Sequence, residues 1–534
     1  MSALGRRLAA GLAAALAGGG LALAQQPAAT APRTTPERTE HRETSRAAEV
    51  DAFAAACATL PRGDRLTITS LGRSHQAREL RLWHVREVAA APTPRLRVVV
   101  IGNIHAGEVE GKEALQLLLR EFTLGQHDEL LAQLELWLVP IYNVDGNEAV
   151  GTQHRAGQNG PDVAGQRANG IGLDLNRDFV KAEALETRAL LQLFLRVDPH
   201  LFVDLHTTNG SYHGYHLTYA PSLCPGQDPG LSRLQRALLD DATAGLRREG
   251  YASFDYGNFE TRDWDGGGAP SSTPGVRGWY SYDHRPRYGV NYYGLRNRLA
   301  VLSEAYSYAD FATRIAATRA FVLELLRSLV ARGDAVRRAT AAADAAAVAG
   351  APLWLPFDTT FGLAETLPVL VGEVQQVAAQ GDLPVRFVRQ GEGRPESMPV
   401  FRSFVARSHR RLPAAWAVLT PSDALRDRLE LHGIASEVLA APRQVSAQRF
   451  VVTQKKKPKR PFQGHQELVL AGHWQPAADH ELPAGTLLVT ARQPRARLAA
   501  QLLEAESDDS LSSWNFLEAT TTTHYPVLRL PDGP

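Results

Sequence analysis

Ile101-Gly-Asn-Ile-His105-Ala-Gly-Glu108-Val-Glu-Gly-Lys-Glu113 decides how this chain is read. An apolar run, Leu96 to Val100, precedes it and reads as a buried strand, and Ala114 to Leu119 follows as the start of a helix. His105 and Glu108 therefore fall in the turn where a strand hands over to a helix, the edge of an α/β sheet at which ligands bind. A His and a Glu three residues apart can turn inward together and grip one Zn²⁺, leaving coordination positions open for water and substrate. The pair is short enough to arise by chance, so its meaning rests on the rest of the chain.

Outward from this stretch, strands alternate with helices. A helix starts at Ala47, and Leu66–Thr69 and Leu80–Val85 form a strand pair. Leu134–Ile141 is a strand ending at Tyr142-Asn143-Val144-Asp145-Gly146, and Gly151–Gly172 is a long Gly-, Asn- and Gln-rich loop. Glu183–Leu195, Leu231–Glu249 and Phe311–Ala331 read as helices, Leu201–Leu205 and Leu299–Ser303 as strands, and Gly257–Pro286 as a second loop. The pattern predicts an α/β fold over residues 47–333, a mixed, mostly parallel sheet with helices on both faces. Residues 334–351 are Ala-rich and read as a helix end and linker. In 352–534 short apolar runs are split by Pro and Gly turns, which predicts a smaller β-rich C-terminal domain, of unassigned role, with one helix near Asp423–Leu431. At 534 residues, two unequal domains are the natural expectation.

Residues 1–24 carry two early arginines, a small apolar stretch and Ala22-Leu23-Ala24, the pattern of a cleaved secretory signal. The expected location is therefore periplasmic or secreted, with no stable membrane insertion after cleavage. Residues 25–46, rich in Pro, Thr and Arg, read as a flexible leader. A formal net charge of +1 gives no reason to expect nucleic acid as a partner, and the basic cluster Lys455–Arg460 reads as a solvated loop. Cys57 and Cys224 are the two cysteines, without zinc-site spacing, and sequence leaves their pairing open.

A catalytic zinc takes three protein ligands, so a third should come from another strand end. His206, after Phe202-Val-Asp-Leu, stands at one. A hydrolase also needs a base for its water. Glu304, directly after an apolar strand, is the candidate, since burial there raises a carboxyl pKa towards a useful value. Arg167-Ala-Asn-Gly-Ile-Gly-Leu-Asp174-Leu-Asn176-Arg177 concentrates two arginines and an amide at the end of the Gly-rich loop. Arginine grips carboxylate in a fork and can stabilise an oxyanion.

With His105-x-x-Glu108, Asn143-x-Asp145-Gly146, Arg167 to Arg177, His206 and Glu304 in this order, the chain resembles the zinc carboxypeptidases related to carboxypeptidase A, over about residues 51–330. The resemblance implies one Zn²⁺ per chain on His105, Glu108 and His206, with Asp174 orienting His105. It implies that Arg167 polarises the scissile carbonyl and that Asn176 and Arg177 bind the substrate's C-terminal carboxylate. Glu304 would activate the water and pass its proton to the leaving amine. The family's mobile substrate-binding tyrosine falls among Tyr280, Tyr282, Tyr288, Tyr292 and Tyr293, with Tyr282 at the best spacing.

The partner implied is a peptide with a free C-terminal carboxylate, cell-wall peptides among them. Val144, Asp178 and the stretch after His206 depart from the family pattern. Asp178 would put a negative charge beside the carboxylate site. Two other readings stay open: a zinc deacylase of N-acyl amino acids, of the succinylglutamate desuccinylase and aspartoacylase type, and a zinc-containing binding protein without turnover.

Overall fold

The computed structural model describes residues 31–91, 93–259, 277–517 and 524–531, so the signal-peptide reading lies outside the described residues. Its centre is an eight-stranded mixed sheet. In spatial order the strands are Leu66–Arg73, Glu79–Arg86, Leu134–Val139, Leu96–Gly102, Leu201–Thr207, Leu299–Ala305, Leu217–Pro221 and Ser253–Asp255. The middle four are parallel: Val98 pairs with Leu136 and with Leu201, and Glu304 with His206. Strand alternation sends successive side chains to opposite faces. Val98, Val100, Val203 and Val301 pack with Leu115, Leu239 and Leu325 of helices Glu110–Leu124, Pro229–Arg248 and Phe311–Ala331. Val99, Ile101, Phe202 and Leu302 face the other way, onto Leu190 and Phe194 of helix Leu185–Val197. Strand Leu217–Pro221 has no counterpart in the sequence reading. Its short run after a polar, His-rich stretch carries too weak a pattern, and pairing with Leu299–Ala305 supplies the order.

The second face is completed by the C-terminal region. Trp416, Leu498 and Trp514 belong to the same buried cluster as Val99 and Phe202. The region is β-rich, with a six-stranded sheet and long hairpins, and its helix Asp423–Leu431 falls where expected. One hairpin strand, Arg386–Phe401, pairs with Trp279–Tyr280 of the loop that precedes Glu304. The expected linker is instead a helix, Gly333–Val348, with Val336, Thr340 and Ala347 buried. Alanine has the highest helix propensity, and composition alone does not separate a linker from such a helix.

The expected flexible leader is likewise ordered over its described part. A short helix, Thr35–Arg38, is capped by Thr34, and Glu37 pairs with Arg120 at 2.7 Å. Thr44 Oγ1 donates to Glu113 Oε1 (2.8 Å), and Lys112 Nζ donates to Ser45 O (2.6 Å). These buried polar groups need partners, and the leader supplies them. Cys57 and Cys224 are both free and buried.

His432 joins the C-terminal region to the sheet from a buried position. Its Nε2 donates to Val180 O (3.0 Å), and its Nδ1 accepts from Tyr292 Oη (2.8 Å). Burial first, then the Arg296 and Arg428 charges, push its pKa down to about 3. The unfolded chain binds this proton near pH 6.5 and the folded one does not, so stability present above pH 6.5 is lost as pH falls towards 3. Between pH 7 and 5 the loss is expected to be roughly 1–2 kcal/mol smaller in His432→Gln than in the wild type. Urea unfolding at the two pH values checks this, and equal losses would remove His432 as the acid-sensitive group.

Candidate active site

The turn that presents His105 and Glu108 is built by two asparagines. Asn103 sits at φ +63°, a region Asn tolerates, and its Nδ2 donates to Ala106 O (3.1 Å) and Glu108 O (3.2 Å). Asn143 Nδ2 donates to Ile104 O (3.3 Å) and Arg167 O (3.1 Å), joining this turn to the Arg167 loop. A Cβ at Gly146 would lie 2.7 Å from Gln166 O, so only glycine allows that close approach. Asp145 accepts from Ser74 Oγ (2.7 Å) and Arg78 Nη1 (2.8 Å). The Asn143-x-Asp145-Gly146 motif thus braces the site from outside.

His105, Glu108 and His206 come together as a buried triad whose ligand atoms lie within 4.8 Å of one another. The Glu108 carboxylate bridges the two rings, 3.0 Å from His105 Nδ1 and 3.0 Å from His206 Nδ1. His105 Nε2 meets Asp174 Oδ1 at 3.0 Å, and His206 Nε2 lies 2.9 Å from Asp204 Oδ2. Each imidazole is therefore backed by a carboxylate, the arrangement that orients metal-binding histidines. Two imidazoles and a carboxylate also form the N,O donor set of a catalytic zinc, so these residues fit that ion. Four carboxylates, Glu108, Asp174, Asp204 and Glu304, crowd around the two rings. Burial opposes the charge on Glu108, but the His105 and Arg155 charges outweigh it and hold its pKa well below the usual range.

Glu304 stands beside His206 in the strand register. Burial first, with Glu108 adding to it against the pull of His206 and Arg155, pushes the Glu304 carboxyl up to about 8. Arg167 Nη2 lies 2.9 Å from Asp174 Oδ2, and Nη1 lies 3.5 Å from Glu108 Oε1. Asn176 Oδ1 accepts from Gly289 N (3.0 Å), which leaves its amide donors for the cavity it lines. The Arg177 guanidinium lies 4.2 Å above the Tyr288 ring. Asp178 adds no free charge here, because it is buried against Lys181 Nζ at 2.6 Å.

Two residues near the triad escaped the sequence reading. Asp204 could have been found, since it lies two positions before His206 on the same strand face. Arg155 could not. It sits in the Gly-rich loop with no spacing to mark it, yet Nη1 donates to Glu108 Oε1 (3.2 Å) and Nη2 to Thr208 O (2.8 Å).

The triad, Glu304, Arg167, Asn176 and Arg177 all line one cavity of about 680 Å³. Tyr282 and Tyr288 line it too, whereas Tyr292 and Tyr293 sit in the core, bonded to His432 and to Pro199 O. Part of the wall comes from the C-terminal region: Asp358–Phe361, Phe404, Leu468–Leu470, Ala505–Asp508 and Ser513. Among the described residues, no helix is long and apolar enough to cross a membrane.

The chain is similar in sequence to known proteins. The profile of the zinc carboxypeptidase family, peptidase M14, matches residues 56–294. Carboxypeptidase 2 of Trichophyton equinum is 25% identical over 469 residues, covering 82% of this chain and 77% of that protein. Human carboxypeptidase Z is 39% identical over 120 residues, covering 21% of this chain and 18% of that protein. Among solved structures, a metallo-carboxypeptidase from Pseudomonas aeruginosa in complex with (2-guanidinoethylmercapto)succinic acid is 22% identical. That match covers 56% of this chain and 71% of the other, with a TM-score of 0.40. Residues 56–294 are thus similar to the zinc carboxypeptidase family. The chain is a hydrolase of the peptidase type, and the matched profile and the relatives support metallocarboxypeptidase function.

Proposed function

We propose that this protein is an exported, zinc-dependent carboxypeptidase that removes the last residue of peptides, with cell-wall peptides as the natural class. The observation that carries the reading is the convergence of the His105/Glu108/His206 triad, Glu304 and the Asn176–Arg177 pair on one cavity. Zn²⁺ on the triad would supply Lewis-acid polarisation of the carbonyl and lower the pKa of a water. Arg177, with the Asn176 amide, grips the free carboxylate and so sets which peptide bond reaches Glu304. Arg167 faces the negative charge that develops on the carbonyl oxygen. Glu304 takes a proton from the attacking water and returns it to the nitrogen of the departing residue. Asp174 and Asp204 hold the two imidazoles in one orientation.

Export rests on the signal-like residues 1–24. A mature N-terminus at Gln25 supports it, and an intact Met1 in exported protein opposes it.

The direct test is a panel of blocked dipeptides, the same peptides amidated, cell-wall stem peptides and N-acyl amino acids, each with and without a chelator. Chelator-sensitive release confined to free-carboxyl peptides is expected, and cleavage of the acyl-amino acids alone would move the protein to the deacylases. In Arg177→Ala, kcat/KM on free-carboxyl peptides is expected to fall about 10- to 100-fold, the loss of charge-assisted hydrogen bonds. An unchanged value would remove Arg177 from carboxylate recognition.

A further inference from the structure

A tight turn of the C-terminal region, Phe462-Gln463-Gly464-His465, reaches the support of the metal triad. Phe462 N donates to His465 O (2.8 Å) and His465 N donates to Phe462 O (3.0 Å), closing a two-residue loop. Both central residues have positive φ, +49° at Gln463 and +81° at Gly464. That is the geometry of a type I′ turn, whose first central position favours Asn, Asp or Gly. A glutamine there is held in a conformation that costs free energy. Its side chain shows what the position does instead: Gln463 Oε1 accepts from the backbone N–H of Asp174 at 2.8 Å.

Asp174 is the carboxylate behind His105. Its Oδ1 accepts from Asn176 N (2.9 Å) and lies 3.0 Å from His105 Nε2, while its Oδ2 lies 2.9 Å from Arg167 Nη2. One residue thus connects a metal ligand, a carboxylate-binding residue and the oxyanion arginine, and its backbone is held from the C-terminal region. The turn is itself seated on both sides. His465 Nε2 lies 2.9 Å from Glu183 Oε2, and the Phe462 ring lies 5.6 Å from the Arg287 guanidinium.

We infer that Gln463 is a positioning residue for the metal site. Its amide oxygen anchors the Asp174 turn, Asp174 aims His105 at the metal, and the C-terminal region is thereby a constituent of the active centre. The inference rests on the metal-site reading proposed above.

Gln463→Gly tests it, because the substitution relieves the left-handed residue while removing the acceptor. Stability is expected to hold or rise. Zn²⁺ affinity, measured by chelator competition on the full-length protein, is expected to fall about tenfold, the scale of lost outer support to a metal ligand. The visible absorption bands of the Co²⁺-substituted protein should shift as well, and kcat should fall. Gln463→Asn, favoured at this turn position but one methylene too short to reach Asp174, should lose affinity in the same way. Zn²⁺ affinity and Co²⁺ spectra identical to wild type in both variants would overturn the inference while leaving the site reading intact. A wild-type protein that takes up no Zn²⁺ would overturn both.

Discussion

Glu304→Gln is expected to lower kcat by about 10²–10⁴, with Zn²⁺ still bound, since that is the range a positioned general base contributes. The substitution keeps the shape of the side chain and removes its basicity. Glu304 is not one of the three residues that converge as metal donors, so metal content should not change. The pH profile adds a second readout. The carboxyl is pushed up to about 8 by burial and by Glu108, against the pull of His206 and Arg155. A divalent cation at the triad lowers that value, so the acidic limb of kcat/KM should lie below pH 8, with activity falling as Glu304 gains its proton. In the Gln variant this limb should vanish from the residual activity. Full turnover, or loss of zinc with the substitution, would remove Glu304 from the role of base.

Asp509→Ala is expected to lower the apparent thermal midpoint by about 3–5 °C, the equivalent of roughly 3–5 kcal/mol in a chain of this length. Asp509 is fully buried and accepts from Arg287 N (2.8 Å), Arg287 Nε (3.2 Å) and Trp514 Nε1 (2.8 Å). Arg287 is itself buried and, among the described residues, keeps only Glu467, at 2.7 Å, as its other carboxylate partner. Removing Asp509 strands most of that charge away from water, which costs far more than an exposed ion pair contributes. Arg287 directly precedes Tyr288, whose ring underlies Arg177. The variant should therefore also bind free-carboxyl peptides more weakly. The double variant Arg287→Met/Asp509→Leu should regain most of the midpoint, because it leaves no buried charge unpaired. A midpoint within 1 °C of wild type for Asp509→Ala alone would show that the pair carries little.

The parts of this fold that were legible in the chain are those set by local pattern. A strand, an Asn-led turn and a helix give the His105–Glu108 hand-over. His206 and Glu304 follow because each closes an apolar strand, and strand ends meet at one edge of a sheet. Helix Phe311–Ala331 has its expected bounds, since its apolar spacing and the Asp310 cap are local. What was not legible depends on partners far away in sequence. Arg155 reaches Glu108 across a loop, Gln463 reaches Asp174 from another region, and Thr44 and Ser45 are ordered by Glu113. The tyrosines show the same limit. Five lie in one short segment, and only packing separates Tyr282 and Tyr288 in the cavity wall from Tyr292 and Tyr293 in the core.

The bond between Asp174 and Gln463 spans 289 residues of chain. Contacts of such long sequence separation form late, because loop-closure entropy must be overcome before they contribute. During synthesis the strands carrying His105, His206 and Glu304 leave the ribosome well before Phe462, Asp509 and Trp514. Until those follow, one face of the central sheet lacks its cover, and the support behind His105 is incomplete. A chain assembled in this order completes the cover of its central sheet only once these C-terminal residues have packed onto it.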